Sequence, residues 1–259
     1  MLNRFPLSAA LPLRRAAAGL ALVLLAACGP APATKGINDP AEPFNRKIHG
    51  FNREMDRVLI RPASQGYGRG LPEPIRDGVS NFTSNLSIPA EIVNGLLQGR
   101  PHNAAENTFR FVINTVVGVG GIFDPASVLG LTGKSTDFGE TLHVWGVGEG
   151  PYMELPIMRP APARDMVGWV VDVAMNPVAL VAKSPEAEVA TVLYIASKLG
   201  DRYRYSSMVD ALLYESADSY AQTRLITLQN RRFQLGQTAD EDAAYEDPYE
   251  DPYADPYAQ

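Results

Sequence analysis

The sequence predicts a mainly α protein built from short helices. Three observations carry this. Apolar residues recur every three or four positions through most of the chain. Asp, Asn, Ser or Pro opens these runs, and Gly or Pro closes them. No stretch alternates apolar and polar residues for the length of a strand. The 21 prolines and 22 glycines keep the elements short.

The amino-terminal segment is of a different kind. Arg4, Arg14 and Arg15 precede a charge-free apolar run from Ala16 to Ala27, and Cys28 follows, the chain's one cysteine. A basic n-region, an apolar h-region and small residues before the cut describe a secretory signal peptide. Cysteine at the cut is the lipobox of a bacterial lipoprotein. The mature chain is therefore expected to begin at Cys28, with a diacylglyceryl group on sulfur and an acyl group on the amine. Each buried methylene contributes ~0.8 kcal/mol, and two or more chains anchor stably. Gly29, in place of an Asp retention signal, is compatible with sorting to the outer membrane. Residues 28–38 read as a linker, 39–236 as one helical domain and 237–259 as a disordered acidic tail. That tail repeats Asp-Pro-Tyr three times and lacks aliphatic bulk.

Within the domain, Asp39-Pro40-Ala41-Glu42 predicts a helix start, with Asp39 as N-cap, and Phe44, Ile48, Phe51, Met55 and Val58 on one face. Arg61-Pro62 predicts its end, and residues 65–74 a Gly/Pro loop containing Tyr67. Ser87, with Glu91 reaching back, predicts the next start. Ile88, Ile92, Val93, Leu96 and Leu97 form its apolar face, and Gly99 ends it. Asn103 and Glu106 open a third helix carrying Phe109, Val112, Ile113 and Val116, which closes at Gly118-Val119-Gly120-Gly121. Residues 137–156 hold Gly139, Gly146, Gly148 and Gly150 and read as a mobile loop or loose hairpin. Residues 164–182 are apolar apart from Arg164, Asp165 and Asp172. Ser184-Pro185-Glu186 starts a helix that runs to Gly200, and a last pattern spans Ser207 to Leu235, with Arg231 and Arg232 suited to its C-terminal dipole.

Composition excludes several functions. The leader holds three bases and the tail from Asp240 eight acids, which leaves 20 bases and 21 acids in the body. A near-neutral body argues against nucleic acid as a partner. The longest charge-free runs in the body, Gly78 to Ala90 and Phe111 to Phe123, are 13 residues each, short of the ~20 that a spanning helix needs. His49, His102 and His143 are scattered, so a metal site is not expected. No G-x-S-x-G elbow occurs. Gly130 to Ser135 resembles a phosphate loop but lacks its first glycine, since Val128 stands there. No cofactor is expected beyond the lipid groups on Cys28, and an enzyme is not expected.

The ordered motifs resemble the MlaA (VacJ) family of outer-membrane phospholipid-transport lipoproteins. The likeness runs from Asn38 to Arg232. It rests on Asp39 to Arg46, Phe51-Asn52, Asp56, Asn81-Phe82, Asn85-Leu86, Leu97-Gln98-Gly99, Arg110-Phe111, Asn114-Thr115, Gly118, Gly120-Gly121, Phe123-Asp124, Asp137-Phe138-Gly139, Trp145 to Tyr152 with Leu155-Pro156, and Arg164-Asp165 with Gly168 and Asp172. Arg159 before Pro160 departs from the small residue usual there. The likeness implies a single ring-like bundle of short interfacial helices with a Gly-rich hairpin loop and no transmembrane helix. It implies a lipid-anchored position on the periplasmic face of the outer membrane. The implied function is a passive amphipathic channel that removes mislocalised phospholipids from the outer leaflet. Trimeric porins and the periplasmic carrier MlaC are the implied partners. A structural envelope lipoprotein binding porin or cell wall is the alternative, and a phospholipase is less favoured for want of a nucleophile and base.

Charges in an otherwise apolar stretch of such a body face a cavity or cap helices. Arg164, Asp165, Asp172 and Lys183 are thus the channel-lining candidates. Gly139, Trp145, Gly146, Gly148, Gly150 and Tyr152 are either the gating loop or a plain surface loop. Trp145, Tyr152 and Trp169 suit either a membrane interface or the core.

Overall fold

The computed structural model describes residues 36–175 and 185–237. Cys28, the leader, the acidic tail and Lys183 lie outside them. The expected mainly α architecture is present, and no described helix is long and apolar enough to cross a membrane.

Helix α1 spans Glu42–Met55 and runs through a wide turn, Asp56–Ile60, into α2, Arg61–Gly70. The predicted stop at Arg61-Pro62 and the loop over 65–74 are therefore replaced by helix. In the wide turn the Arg61 N–H reaches back to Asp56 O, five residues earlier, and Pro62 falls in the first turn of α2, where a missing N–H costs little. Asp39 does not cap α1, which begins after Ala41. Its carboxylate is taken up elsewhere, by Asn45 Nδ2, the Tyr220 hydroxyl and Arg224 Nη1.

Helix α3, Glu73–Leu97, is 25 residues, about 37 Å long, and passes through both Ser87 and Pro89. Ser87 caps nothing and donates to Thr83 O one turn back. Gly99, with φ +69°, ends the element as expected. Helix α4, Pro101–Val116, folds back on α3 after the three-residue link 98–100. Gly95 allows this close approach, since a Cβ there would meet Ala104 Cβ at 3.4 Å. The turn at Gly118–Gly121 is a packing point: a Cβ on Gly121 would lie 2.5 Å from Asn85 Cβ. A short helix α5, Pro125–Val128, is capped by Asp124, whose carboxylate accepts from Ser127 N at 3.2 Å.

Helix α6, Phe138–Val144, is capped by Asp137, which accepts from Glu140 N at 2.8 Å. Seven of the twenty residues of the expected loop are thus helical, because this cap outweighs the glycine. Strands β1, Tyr152–Met153, and β2, Ala161–Pro162, pair antiparallel, Tyr152 opposite Pro162. Helix α7, Ala163–Met175, lies on α6. Helix α8, Glu186–Arg204, packs on α2 and α3. The last predicted helix is three pieces. Helix α9, Ser206–Asp210, continues into a wide turn, Ala211–Glu215, and α10, Ser219–Gln234, starts afresh where the Asp218 carboxylate accepts from Ala221 N.

Candidate functional site

The distribution of polarity is inverted. Among the described residues 34 large apolar side chains are exposed and only eight apolar residues are buried, while 20 polar or charged residues are buried. The one apolar cluster is Tyr152, Tyr220 and Leu228. Phe109, Val112 and Val116, on the apolar face of α4, are 62%, 49% and 73% exposed. The opposite face of α4 presents Asn107 and Asn114, which are buried. A water-soluble body would reverse this arrangement, because contiguous exposed apolar surface is costly in water.

The polar interior takes two forms. Between α3, α4 and residues 118–135 lies a cavity of about 270 Å³, and Asn81, Asn85, Asn107, Arg110, Asn114 and Asp124 line it. Amides hold its walls. Asn114 Nδ2 donates to Asp124 at 2.8 Å, and its Oδ1 accepts Ala126 N at 3.1 Å. Asn107 Nδ2 donates to Lys134 O at 3.0 Å. Arg110 fixes the overlying loop by donating to the carbonyls of Leu131 and Thr132 while pairing with Asp124 at 3.3 Å. Five of the residues that carried the family likeness, Asn81, Asn85, Arg110, Asn114 and Asp124, converge here. Sequence reasoning did not select them as a site. Their signal was the spacing Asn81–Asn85 and Asn107–Asn114, which puts amides on one face of each helix.

The second form is charged and filled. Arg231 of α10 bonds Asp165 of α7 and Asp137, both at 2.6 Å, and Asp165 also meets Arg164 at 3.1 Å. Burial opposes the Arg231 charge, but Asp137 and Asp165 more than offset this and hold its pKa above the ordinary value. Arg232 pairs with buried Glu149 at 2.8 Å. Asp172 accepts from Asn94 Nδ2 at 2.8 Å and Phe138 N at 2.9 Å, and burial raises its pKa. The structure thus brings together Arg164, Asp165 and Asp172 around α6, where they brace it against α3, α7 and α10. None of the three lines either of the two cavities described here.

The gate candidates separate. Gly139 is buried in α6, where a Cβ would lie 2.3 Å from Asp165 Oδ1, and Gly168 of α7 faces its backbone equally closely. It is a packing glycine inside a helix. Tyr152 takes the core alternative: it is fully buried in the apolar cluster and anchors the segment. Gly150, with φ +74°, packs on Ala163. Trp145 donates from Nε1 to Leu97 O at 3.1 Å and meets Phe138 edge-on. Within residues 137–155 only Trp145, Gly146, Val147 and Gly148 are exposed in succession.

A further buried chain links α1, β1 and α10. Ser219 Oγ lies 3.0 Å from His49 Nε2, His49 Nδ1 lies 3.2 Å from Glu154 Oε1, and the Tyr152 hydroxyl donates to Glu154 at 2.7 Å. The order is that of a nucleophile, base and carboxylate. All three residues are more than nine-tenths buried, and Tyr220 meets the imidazole edge-on at 5.6 Å. These bonds tie α10 to α1 and the end of β1 as a strut, and His49 and Ser219 also line a cavity of about 410 Å³ together with Arg46, Arg53 and Asp218.

Comparison with known proteins agrees with this architecture. The profile of the MlaA lipoprotein family matches residues 37–234. The intermembrane phospholipid transport system lipoprotein MlaA of Shigella flexneri is 39% identical over 171 residues, 64% of this chain and 68% of its own. Its Escherichia coli K12 counterpart is 38% identical over 165 residues, 62% and 66% of the two chains. An uncharacterized protein of Rickettsia bellii is 38% identical over 197 residues, 75% and 76% of the two. A solved structure described as the structural basis for maintenance of bacterial outer membrane lipid asymmetry superposes with TM-score 0.65 at 32% identity, covering 76% of this chain and 98% of that one. With its amide-lined interior, its apolar exterior and a match that spans nearly every described residue, the chain belongs to the MlaA lipoprotein family.

Proposed function

We propose that this chain is a lipid-anchored outer-membrane protein that passes phospholipids through its polar interior and so maintains lipid asymmetry. Phospholipids misplaced in the outer leaflet enter it and leave to a periplasmic carrier of the MlaC kind. One observation carries the reading: among the described residues 34 large apolar side chains are exposed while 20 polar or charged ones are buried. Surface of that kind suits hydrocarbon, and polar groups within a lipid-embedded body belong on its inside. Moving a lipid across a leaflet is opposed mainly by stripping water from its head, and buried unpaired charge is very costly. An amide-lined path lowers that barrier. The relatives named as phospholipid transport lipoproteins support the same reading.

Conduction is passive in this proposal, with acylated Cys28 holding the body at the periplasmic face and trimeric porins beside it. The gate narrows to the exposed turn at Trp145–Gly148, between the Leu97 contact and the Tyr152 anchor. Arg164, Asp165 and Asp172 stiffen the frame that carries the turn, and Lys183 remains a lining candidate.

Deleting the gene is expected to raise surface-exposed phospholipid and sensitise cells to detergent, and the wild-type chain should restore both. Outer-leaflet phospholipid unchanged by deletion would overturn the proposal and favour a purely structural lipoprotein.

A further inference from the structure

The α3–α4 cavity has four charged residues in its lining: Glu91, Arg110, Asp124 and Lys134. Arg110 and Asp124 pair with each other. Glu91 and Lys134 have no opposite charge within salt-bridge distance among the described residues. Ser135 Oγ is the one described hydrogen-bond donor to Glu91, at 3.1 Å, and Arg110 attracts it only from farther off. Burial pushes the Glu91 carboxyl up to about 6, the mark of a charge lacking a counterion. Lys134 adjoins Ser135, and its backbone carbonyl is held by the deeply buried Asn107. The cavity lining thus includes one half-buried anion, Glu91, and one cation at an exposed position, Lys134, neither of them in a described ion pair.

An independent observation points to the same space. Asn85 is 3% exposed, donates its Nδ2 to Thr115 Oγ1 at 3.1 Å, and leaves its Oδ1 with no partner among the described residues. A buried carbonyl without a donor is costly, so this position calls for an N–H or O–H from outside the chain. The available volume, about 270 Å³, equals the share of roughly nine waters at ~30 Å³ each.

We propose that this cavity binds a zwitterionic head group in which a phosphate is linked to a primary ammonium, the phosphate on Lys134 and the ammonium on Glu91, with Asn85 Oδ1 accepting through an ordered water. Asn85 and Glu91 lie about 9 Å apart along the α3 axis, so this water meets the bound head group and not the Glu91 carboxylate. A quaternary ammonium does not fit. It has no N–H to give, its usual receptors are aromatic faces, and no aromatic side chain lines the cavity. An anionic head leaves Glu91 unanswered. The inference rests on the phospholipid reading above and names the head-group class that the path would favour. The same chemistry occurs in soluble phosphoethanolamine, so the test separates the two sources.

The experiment uses the full chain purified from membranes in detergent. It is loaded in mixed micelles holding equal amounts of phosphatidylethanolamine, phosphatidylcholine and phosphatidylglycerol, and retained lipid is quantified by mass spectrometry. Phosphatidylethanolamine is expected to be retained about tenfold over phosphatidylcholine, the ratio set by one charge-assisted hydrogen bond. Glu91→Gln should abolish this preference. Lys134→Gln, at an exposed position outside every described ion pair, should weaken retention without altering the fold. Titration with O-phosphoethanolamine alone identifies the source. Weak binding there, with strong lipid retention, assigns the lipid, whereas equally tight Glu91-dependent binding assigns the soluble amine. Equal retention of the three lipids by wild type, unchanged in Glu91→Gln, together with no binding of O-phosphoethanolamine, overturns the inference and leaves the conduit reading intact. Retention of no lipid at all removes both.

Discussion

Where α6, α7 and α10 meet, buried carboxylates are matched by guanidinium groups: Asp137 and Asp165 with Arg231, and Glu149 with Arg232. Where α3 and α4 enclose the cavity, the buried groups are amides, one carbonyl is unmatched, and two charges stand without counterions. Both regions are polar and both lie beneath an apolar exterior. The first fills its volume with ion pairs and has little capacity to take anything else. The second keeps walls of amides and a few charges around open space. Neutral amides suit that task, because they stay hydrogen-bonded whether the space holds water or a ligand. Under the proposed function, the first region is the frame and the second the passage.

Arg231→Ala breaks the contrast most strongly. It strips Asp165, whose side chain is 3% exposed, of its stronger partner and leaves Asp137 without its own. Removing one member of a buried pair leaves an uncompensated charge, and a loss of about 3 kcal/mol is expected in denaturation of the detergent-solubilised protein. A loss near zero would show that the frame does not depend on these pairs.

The cavity should show the opposite kind of sensitivity, to pH. The Glu91 carboxyl is raised from 4.5 to about 6, so the folded chain holds a proton that the unfolded chain has released. Stability from this group is present below about pH 4.5 and is lost as pH rises through about 6, by on the order of 2 kcal/mol. Glu91→Gln should flatten that part of the stability profile. An unchanged profile between pH 4.5 and 6 would mean that Glu91 is not the desolvated charge described here.

Ser219→Ala has the smallest expected effect. His49 Nε2 loses its partner, at a cost of about 1 kcal/mol. Phospholipid vesicles incubated with the wild-type chain should yield no lysophospholipid. Lysophospholipid that appears with wild type and vanishes in the variant would turn the strut into a hydrolytic site.

Much of the fold was legible in the chain. The stops at Gly99 and at residues 118–121, the opening of α8 and the identity of the family follow from residue order. The direction in which the helices face was not. Periodicity shows that Phe109, Val112 and Val116 share one side of α4 and that Asn107 and Asn114 share another. It carries no sign, and the usual sign assumes water outside. For a body whose surroundings are hydrocarbon, the apolar side is the outer one. Loops were misjudged for a related reason. Gly139 was read through its freedom, yet in place it and Gly168 let two helix backbones touch. Pro62 was read as a stop because its effect depends on a wide turn with no mark of its own in the sequence. Asp39 looked like a cap because Tyr220 and Arg224, which claim its carboxylate, lie far along the chain.

Residues 36–39 are fastened on several sides. Gly36 O receives Arg232 Nη2 at 2.8 Å, Asn38 O receives Tyr152 N at 2.8 Å, and Arg224 grips Asp39 at 2.6 Å. Only eight positions separate Cys28 from Gly36, a leash of at most about 28 Å when drawn out. With Cys28 held in a bilayer as proposed, any pull on it would pass straight into α10 and the β-ribbon, restrict how far the body could roll and keep one chosen side turned toward the lipid.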